Sequence, residues 1–234
     1  MSTDTLLDKY AKLGHPGGDV TDTLSSSPIG TAVVPAADAR LAYYSFGGGV
    51  PAPVSGDVGG GGGGAVTTWN PADKAAGITL SQGNLRATST ASLSSVRATT
   101  GKSTGKWQFE LTALSNGSWL VGLATLAANL TDYPGQSSAG YAYHSGTGNK
   151  YNGSGGVTYG PSYTNGDVIG VTIDFATLAI VFYKNGAALG TAFTLAAGTY
   201  YPIIGVASAI APLGDLNTGG SPFAYPVAGF SAWG

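Results

Sequence analysis

The sequence predicts an all-β fold, either a sandwich or a barrel, preceded by an extended N-terminal arm. Glycine contributes 39 of 234 residues, and charged residues make up only 9% of the chain, against about 25% in typical soluble domains. From Val66 onward, short runs of β-forming residues are separated by turn residues roughly every eight to twelve positions. Several of these runs alternate apolar and polar residues, as half-buried strands do.

The chain divides at a run of six consecutive glycines, residues 59–64. Such a run has no side chains to pack and the greatest backbone freedom of any sequence. Residues 1–58 carry a net charge of −3, whereas residues 66–234 carry +1. We therefore predict three parts: an N-terminal anchoring arm (1–58), a glycine linker (59–65) and a β-domain (66–234).

The arm contains one predicted element, a short amphipathic helix. Thr3 or Asp4 supplies a helix cap, and Gly14 followed by Pro16 supplies a stop. Four apolar residues share one face of this helix: Leu6, Leu7, Tyr10 and Leu13. A helix this short is marginal in water on its own, so its apolar face is expected to anchor the arm to a partner. The rest of the arm has no sustained periodicity and is predicted to be extended.

The clearest strands of the β-domain lie in its middle. Residues 107–111 alternate apolar and polar side chains, and residues 167–175 do so again, with Ile169, Val171 and Ile173 on one face. Residues 178–184 are apolar on both faces and end at Asn185-Gly186, the strongest short signal for a hairpin turn. Further strands are predicted at 187–193 and 203–209, and a turn is possible at 70–76. In all, we expect about a dozen strands and no helix in this part.

Composition excludes several classes of function. Ten basic residues against twelve acidic ones leave no positive surplus for nucleic acid. The absence of cysteine removes disulfides, thiolate metal sites and cysteine nucleophiles. No apolar run reaches the roughly 18 residues that would span a bilayer, and Asp4 and Asp8 stand where a signal peptide would need basic residues. We therefore expect no nucleic-acid partner, no membrane insertion and synthesis in a cytoplasm without a secretory signal.

Catalytic residues are scarce. The chain has one glutamate, Glu110, and two histidines, His15 and His144. No serine lies in a nucleophile-elbow motif, and no acidic or histidine residues have metal-ligand spacing. Glu110 lies in an alternating strand, where we expect a structural ion pair with Lys106 or Arg97. The prediction is therefore a protein with no enzymatic activity, no cofactor and no metal.

One cluster of residues favours ligand binding. Five tyrosines and a histidine fall within 23 residues of loop-rich sequence. Tyrosine offers a large rigid face and a hydroxyl at low entropic cost, which suits both carbohydrate stacking and protein interfaces. The predicted ligand-binding residues are Tyr143, His144, Lys150, Tyr151, Asn152 and Tyr163. The competing interpretation is that about half of the cluster packs in the core, since Tyr141 and Tyr143 share strand parity.

Several segments, in order, resemble the SPRY domain family. The resemblance covers about residues 66–233, nearly three quarters of the chain. Its segments are 69–74 (Trp-Asn-Pro-Ala-Asp-Lys), 105–110 (Gly-Lys-Trp-Gln-Phe-Glu), 121–124, 140–143, 166–171, 182–186, 201–206 and the closing 222–225 (Pro-Phe-Ala-Tyr). It implies a two-sheet antiparallel sandwich of concanavalin-like shape and a binding module without catalytic activity. Thr218 departs from the family pattern, which has an aromatic residue in the closing motif.

The composition of this SPRY-like segment is similar to versions found in virion proteins of tailed bacteriophages. That resemblance implies a decoration or fibre protein of the capsid, neck or tail, located in the virion, with the arm docked on other virion proteins. Virion symmetry would favour a homo-oligomer, with a trimer as the leading state. The alternative function is host attachment by a lectin-like module that binds a surface glycan or protein through the tyrosine loops.

Overall fold

The computed structural model describes residues 66–153, 155–209 and 212–234. These residues form fifteen β-strands and no helix, so the predicted all-β sandwich is confirmed. The strands are β1 (Trp69–Lys74), β2 (Ile78–Ser81), β3 (Arg86–Ser89), β4 (Ser94–Ala98), β5 (Lys106–Ala113), β6 (Trp119–Ala124), β7 (Gly140–His144), β8 (Asn149–Tyr151), β9 (Val157–Thr158), β10 (Val168–Asp174), β11 (Ala179–Lys184), β12 (Ala187–Thr194), β13 (Tyr201–Val206), β14 (Gly214–Asn217) and β15 (Ser231–Ala232).

The strands form two sheets. The seven-stranded sheet has the order β1-β4-β13-β6-β7-β8-β9, and the eight-stranded sheet has the order β12-β11-β10-β5-β14-β3-β2 with β15 beside β5. All pairings are antiparallel except that of β15 with β5, which is parallel. No helix in the described part of the chain is both long and apolar enough to cross a bilayer.

The hydrophobic core lies between the sheets because the strands alternate as the sequence predicts. Ile169, Val171 and Ile173 on β10 are fully buried, and β5 buries Phe109 and Leu111 beside them. The seven-stranded sheet contributes further core residues: Val96, Val121, Leu123, Tyr143, Ile204 and Val206. The side chains between these positions point to the outer faces of the sheets, where binding surfaces can form.

The central hairpin follows the prediction closely. Asn185 and Gly186 both have positive φ, 49° and 82°, which is the conformation of a tight two-residue hairpin turn. The possible turn at 70–76 is instead mostly strand β1. Pro71 is tolerated there because β1 is an edge strand, where a missing N–H leaves no sheet bond unmade.

A segment of chain covers part of the outer face of each sheet. Residues 125–139, here called the cover loop, lie over the seven-stranded sheet: Ser95 donates to the Asp132 carbonyl, and Arg97 donates to the carbonyls of Thr125 and Ala128. Residues 219–230, here called the C-terminal strap, lie over β5 of the eight-stranded sheet. These two segments shape the outer surfaces of the two sheets.

The N-terminal predictions fall outside the described residues. They comprise the anchoring arm, the glycine linker and the apolar helix face of Leu6, Leu7, Tyr10 and Leu13. They stay predictions, as does the homo-oligomer that rested on them.

Candidate functional site

Two of the predicted ligand-binding tyrosines are core residues. Tyr143 has no exposed surface and Tyr163 is 2% exposed. Their rings pack 4.9 Å apart, and Tyr163 also packs edge-on against Trp119. Tyr143 shares the inner face of β7 with Tyr141, as the competing core interpretation expects, and Tyr163 is buried beside Tyr143. Neither reaches the surface on which a ligand could bind.

The hydroxyls of these buried tyrosines are satisfied within the core. Tyr163 donates to the Tyr143 carbonyl at 2.8 Å, and Tyr143 donates to the Pro161 carbonyl. Burial raises the pKa of both hydroxyls well above the ordinary value, and burial raises the pKa of neighbouring Tyr159 to about 12. These groups therefore remain neutral hydrogen-bond donors at any physiological pH.

Lys150 points between the two sheets. Its Nζ donates to the Ala192 carbonyl on β12 at 2.5 Å and lies 5.2 Å and 5.6 Å from the ring centroids of Phe193 and Tyr159. The Tyr159 hydroxyl donates to the next outward carbonyl of β12, that of Gly190, at 2.6 Å. Lys150 therefore bridges the edges of the two sheets, and its ammonium group is hydrogen-bonded within the domain.

The outer face of the seven-stranded sheet brings the other predicted residues together. His144 is 7% exposed. Its Nε2 is 2.9 Å from the Ser118 hydroxyl, and its Nδ1 accepts the Thr147 backbone N–H at 3.1 Å. Burial lowers the pKa of His144, which keeps the ring neutral. Tyr151 lies beside this histidine, with ring centroids 5.8 Å apart.

Tyr133, from the cover loop, completes a small aromatic surface that the sequence did not predict. Its ring meets that of Tyr151 edge-on at 5.9 Å, and both residues are half-buried. Burial is the main cause of a raised pKa for Tyr133, with a smaller contribution from the Asp132 carboxylate. We call Tyr133 and Tyr151 the tyrosine pair. Neither hydroxyl has a hydrogen-bond partner within the described ranges.

The amide of Asn152 and the glycine at position 135 hold the tyrosine pair in position. Asn152 donates to the carbonyls of Ser138 and Gly140 at 3.1 and 2.8 Å, so it fastens the cover loop to β8 and plays a positioning part. A Cβ at Gly135 would lie 2.5 Å from the Tyr151 carbonyl. Only glycine permits that approach, and no sequence motif marked it.

The thirteen charged side chains of the domain are engaged with one another, with its own backbone or, for Lys102, with the Trp107 ring. Eight of these side chains form four ion pairs: Arg86–Asp215, Arg97–Asp73, Lys106–Asp174 and Lys184–Asp167. Glu110 does not pair with Lys106 or Arg97. Its two oxygens accept the backbone N–H groups of Ala224 and Tyr225 at 2.8 and 2.7 Å, which fixes the strap. Across residues 66–153, 155–209 and 212–234, no three acidic or histidine side chains are placed to hold a metal ion.

The described residues form a two-sheet β-sandwich whose loops and strap leave aromatic and polar side chains at its surface. Residues 106–212 match the SPRY domain family, and the chain contains a SPRY domain. The sandwich is also similar to the crystal structure of the SPRY domain of human HERC1. That comparison has a TM-score of 0.56 at 23% identity, covering 64% of this chain and 95% of the other.

Several eukaryotic proteins are similar in sequence to this region. The chain is 34% identical to Ran-binding protein 9 of Xenopus tropicalis over 172 residues and 36% identical to the Drosophila melanogaster Ran-binding proteins 9/10 homolog over 169. It is 40% identical to the Arabidopsis thaliana E3 ubiquitin-protein ligase RKP over 149 residues. The matches cover 68%, 67% and 61% of this chain but only 31%, 18% and 11% of those proteins. The chain thus spans less than a third of the length of these relatives.

These relatives overturn the functional prediction from the sequence. They are cellular eukaryotic proteins, so the expected virion location, the role as a bacteriophage decoration or fibre protein and the lectin-like host attachment are wrong. The error arose from composition. Abundant Gly, Ala, Ser and Thr and a low charge do not distinguish a phage protein, because they describe only a domain with few charged residues. The SPRY assignment itself rested on ordered motifs and is confirmed.

Proposed function

We propose that the chain is a protein-interaction module without enzymatic activity, whose SPRY domain binds a peptide segment of a partner protein. The SPRY match is the observation that carries this proposal, because SPRY domains are generally non-enzymatic interaction modules. The described side chains are consistent with it. Glu110 holds backbone, His144 holds two hydroxyl-bearing loop residues, and neither is free to act as an acid or base.

The tyrosine pair is the proposed contact surface. Tyr133 and Tyr151 present half-buried rings at fixed mutual geometry, which supplies contact area with little loss of side-chain entropy on binding. Their hydroxyls remain available to a ligand main chain. Among the predicted ligand-binding residues, Tyr151 makes direct contact in this proposal, while His144 and Asn152 position it.

The names of the relatives suggest a first partner to test. Two of the three relatives described above are named for binding Ran or as a homologue of such proteins. Because the chain corresponds to less than a third of each, their partner enters here only as a candidate. Purified Ran is therefore one probe, alongside an unbiased peptide library.

The test uses the full chain, immobilised and exposed to a yeast-displayed library of random peptides and, separately, to purified Ran. Peptides that bind the wild type are then measured against Tyr133→Ala and Tyr151→Ala. We expect losses of about tenfold or more, since aromatic anchors contribute more than about 1.4 kcal/mol each. Tyr225→Ala, which removes an exposed tyrosine from the strap, is the matched control. Equal binding by all four proteins would refute the tyrosine pair as the site, and failure to enrich any ligand would refute the proposed function.

A further inference from the structure

A second surface lies on the opposite sheet, between the β2–β3 turn and the C-terminal strap. It is an open trough of about 520 Å³, within the range of about 300–1,000 Å³ that ligand sites occupy. Gln82 and Leu85 form one wall, and Pro222 and Ala224 of the strap form the other. The trough shares no residue with the tyrosine pair.

The floor of the trough is a row of polar side chains across three strands. Asp215 on β14 is the register partner of Arg86 on β3 and of Thr112 on β5. Arg86 donates through Nε and Nη2 to the two Asp215 oxygens at 2.7 and 2.6 Å. This ion pair is about one third exposed, so its remaining donor and acceptor positions face the trough.

The same sheet face already holds one extended main chain. Beside the trough, Glu110 accepts the N–H groups of Ala224 and Tyr225. Gln108 accepts the Val227 N–H at 2.7 Å and donates to the Tyr225 carbonyl at 2.8 Å. The outward side chains of β5 therefore bind the strap through backbone groups alone. A second extended chain alongside the strap would meet the next outward side chain of β5, Thr112.

The charges that line the trough favour a basic ligand. Arg86 neutralises Asp215, whereas Glu110 has no ion-pair partner among the described residues and leaves an excess of one negative charge. The apolar surface of Leu85 and Pro222 suits the methylene stem of a lysine or arginine. No aromatic ring lines the trough, so it lacks the stacking surface that a sugar ring would use.

We propose that this trough is a second binding site, which takes an extended peptide segment carrying one basic side chain. The peptide main chain lies along the strap over Thr112 and Asn217. Its basic side chain lies beside the one-third-exposed Asp215 carboxylate and is attracted through space by the buried charge of Glu110. This proposal is independent of the tyrosine pair.

The probe is an array of seven-residue peptides in which one position is fixed as Lys, Arg, Glu or norleucine and the other positions are equimolar mixtures. The full chain is labelled and applied at low and at high salt. We expect binding to favour peptides with a fixed Lys or Arg over those with norleucine, and to weaken at high salt because the attraction is between charges. An array without that preference would overturn the proposal.

Two variants block the trough by different routes. Thr112→Trp fills the floor and Ser221→Trp narrows the strap wall, and either is expected to lower binding of the selected peptides by about tenfold, equivalent to about 1.4 kcal/mol. Asp215→Asn leaves Arg86 to balance Glu110, so the trough no longer has an excess negative charge and the preference for Lys over norleucine should be lost. Thr191→Trp, at an exposed position of β12, is the matched control. Thermal unfolding of each variant establishes that it is folded.

The readouts separate this site from the proposed function. Tyr133→Ala and Tyr151→Ala should leave the preference for basic peptides unchanged, whereas both blocking variants should remove it. Peptides that still bind the folded Thr112→Trp and Ser221→Trp proteins would overturn the trough as the site. If binding of basic peptides is lost only in the tyrosine variants, the basic preference belongs to the tyrosine pair, and that result too would overturn the proposal.

Discussion

At the scale of single residues, His144 shows how burial converts a predicted ligand-binding group into a structural one. The imidazole accepts the Thr147 N–H at Nδ1, so its proton lies on Nε2 and is donated to Ser118. Adding a second proton would break the bond from Thr147 and place a charge in a buried site. The histidine thus positions Tyr151 while remaining neutral.

This arrangement predicts a pH dependence of stability. The pKa of folded His144 is lowered by burial, below the unfolded value of about 6.5. The unfolded chain then binds the proton more readily, and the free energy of unfolding falls as the pH drops below about 6.5. The fall ends once folded His144 is also protonated. Urea unfolding of the full chain between pH 5 and 7.5 measures this slope, which corresponds to at most about one proton.

The variant His144→Gln keeps a polar side chain but cannot titrate in this range, so its slope should be markedly smaller. The carboxylates of Asp167 and Asp174 do not contribute to the slope in this pH range. Burial acts to raise the pKa of Asp167, but hydrogen bonds from Asn185, Thr164 and Lys184 outweigh it and lower that pKa. A hydrogen bond from Lys106 lowers the pKa of Asp174. The stability that both carboxylates contribute is therefore lost only below the ordinary pH range of a carboxyl group. An unchanged slope in His144→Gln would contradict the assignment.

At the scale of elements, the C-terminal strap depends on one carboxylate. Both Glu110 oxygens accept backbone N–H groups, and the residue is 3% exposed. Glu110→Gln replaces one acceptor by an NH₂ group that faces an N–H, which leaves at least one buried donor unpaired at a cost of about 1–3 kcal/mol. We expect amide hydrogen exchange at Ala224, Tyr225 and Val227 to accelerate by about tenfold or more, as 1.4 kcal/mol predicts.

Asp174→Asn is the control for that experiment, because it also removes one negative charge from the eight-stranded sheet but does not contact the strap. If amide exchange in the strap stayed slow in Glu110→Gln, packing and not this carboxylate would hold the strap.

The edge strand β12 gives a second prediction at this scale. It is eight residues long, carries no charge, and its outward carbonyls at Gly190 and Ala192 are capped by Tyr159 and Lys150. Uncapped edges of this kind pair with other chains. Lys150→Met should therefore increase self-association, measured by sedimentation velocity, whereas Lys102→Met, which makes the same change of charge, should not. Equal sedimentation of both variants would argue against the cap.

At the scale of the whole molecule, the sequence predicted what depends on local pattern and missed what depends on distant contacts. The alternation of β10 and the Asn185-Gly186 turn identified the central hairpin, since both are set by neighbouring residues. The partners of Glu110 lie 114 and 115 residues away, and Tyr133 meets Tyr151 only because the cover loop folds back over the sheet. No spacing rule encodes such meetings. The prediction that Tyr143 binds a ligand is wrong for a related reason. Alternation along β7 shows that the strand has two faces, but it does not show which face is buried.

Both limits of the folded domain are anchored in its core. Near the N-terminal limit, the Thr67 carbonyl accepts a hydrogen bond from the Thr218 hydroxyl at 2.8 Å, and Trp69 is fully buried. Near the C-terminal limit, Trp233 is fully buried against Phe109, and its Nε1 donates to the Thr100 carbonyl at 2.9 Å. Both ends of residues 66–234 therefore complete the same core.

A fragment of residues 66–234 should unfold cooperatively, with a thermal midpoint close to that of the corresponding transition in the full chain. A fragment of residues 78–234 loses Trp69 and the Asp73 partner of buried Arg97, and a fragment of residues 66–229 loses Trp233. Each loss combines a cavity the size of an indole, costing about 3–5 kcal/mol, with unpaired polar groups. That sum is comparable with the whole stability of many domains, so both shorter fragments should fail to give a cooperative transition by calorimetry. Cooperative unfolding of either one would show that the sandwich closes without that terminus.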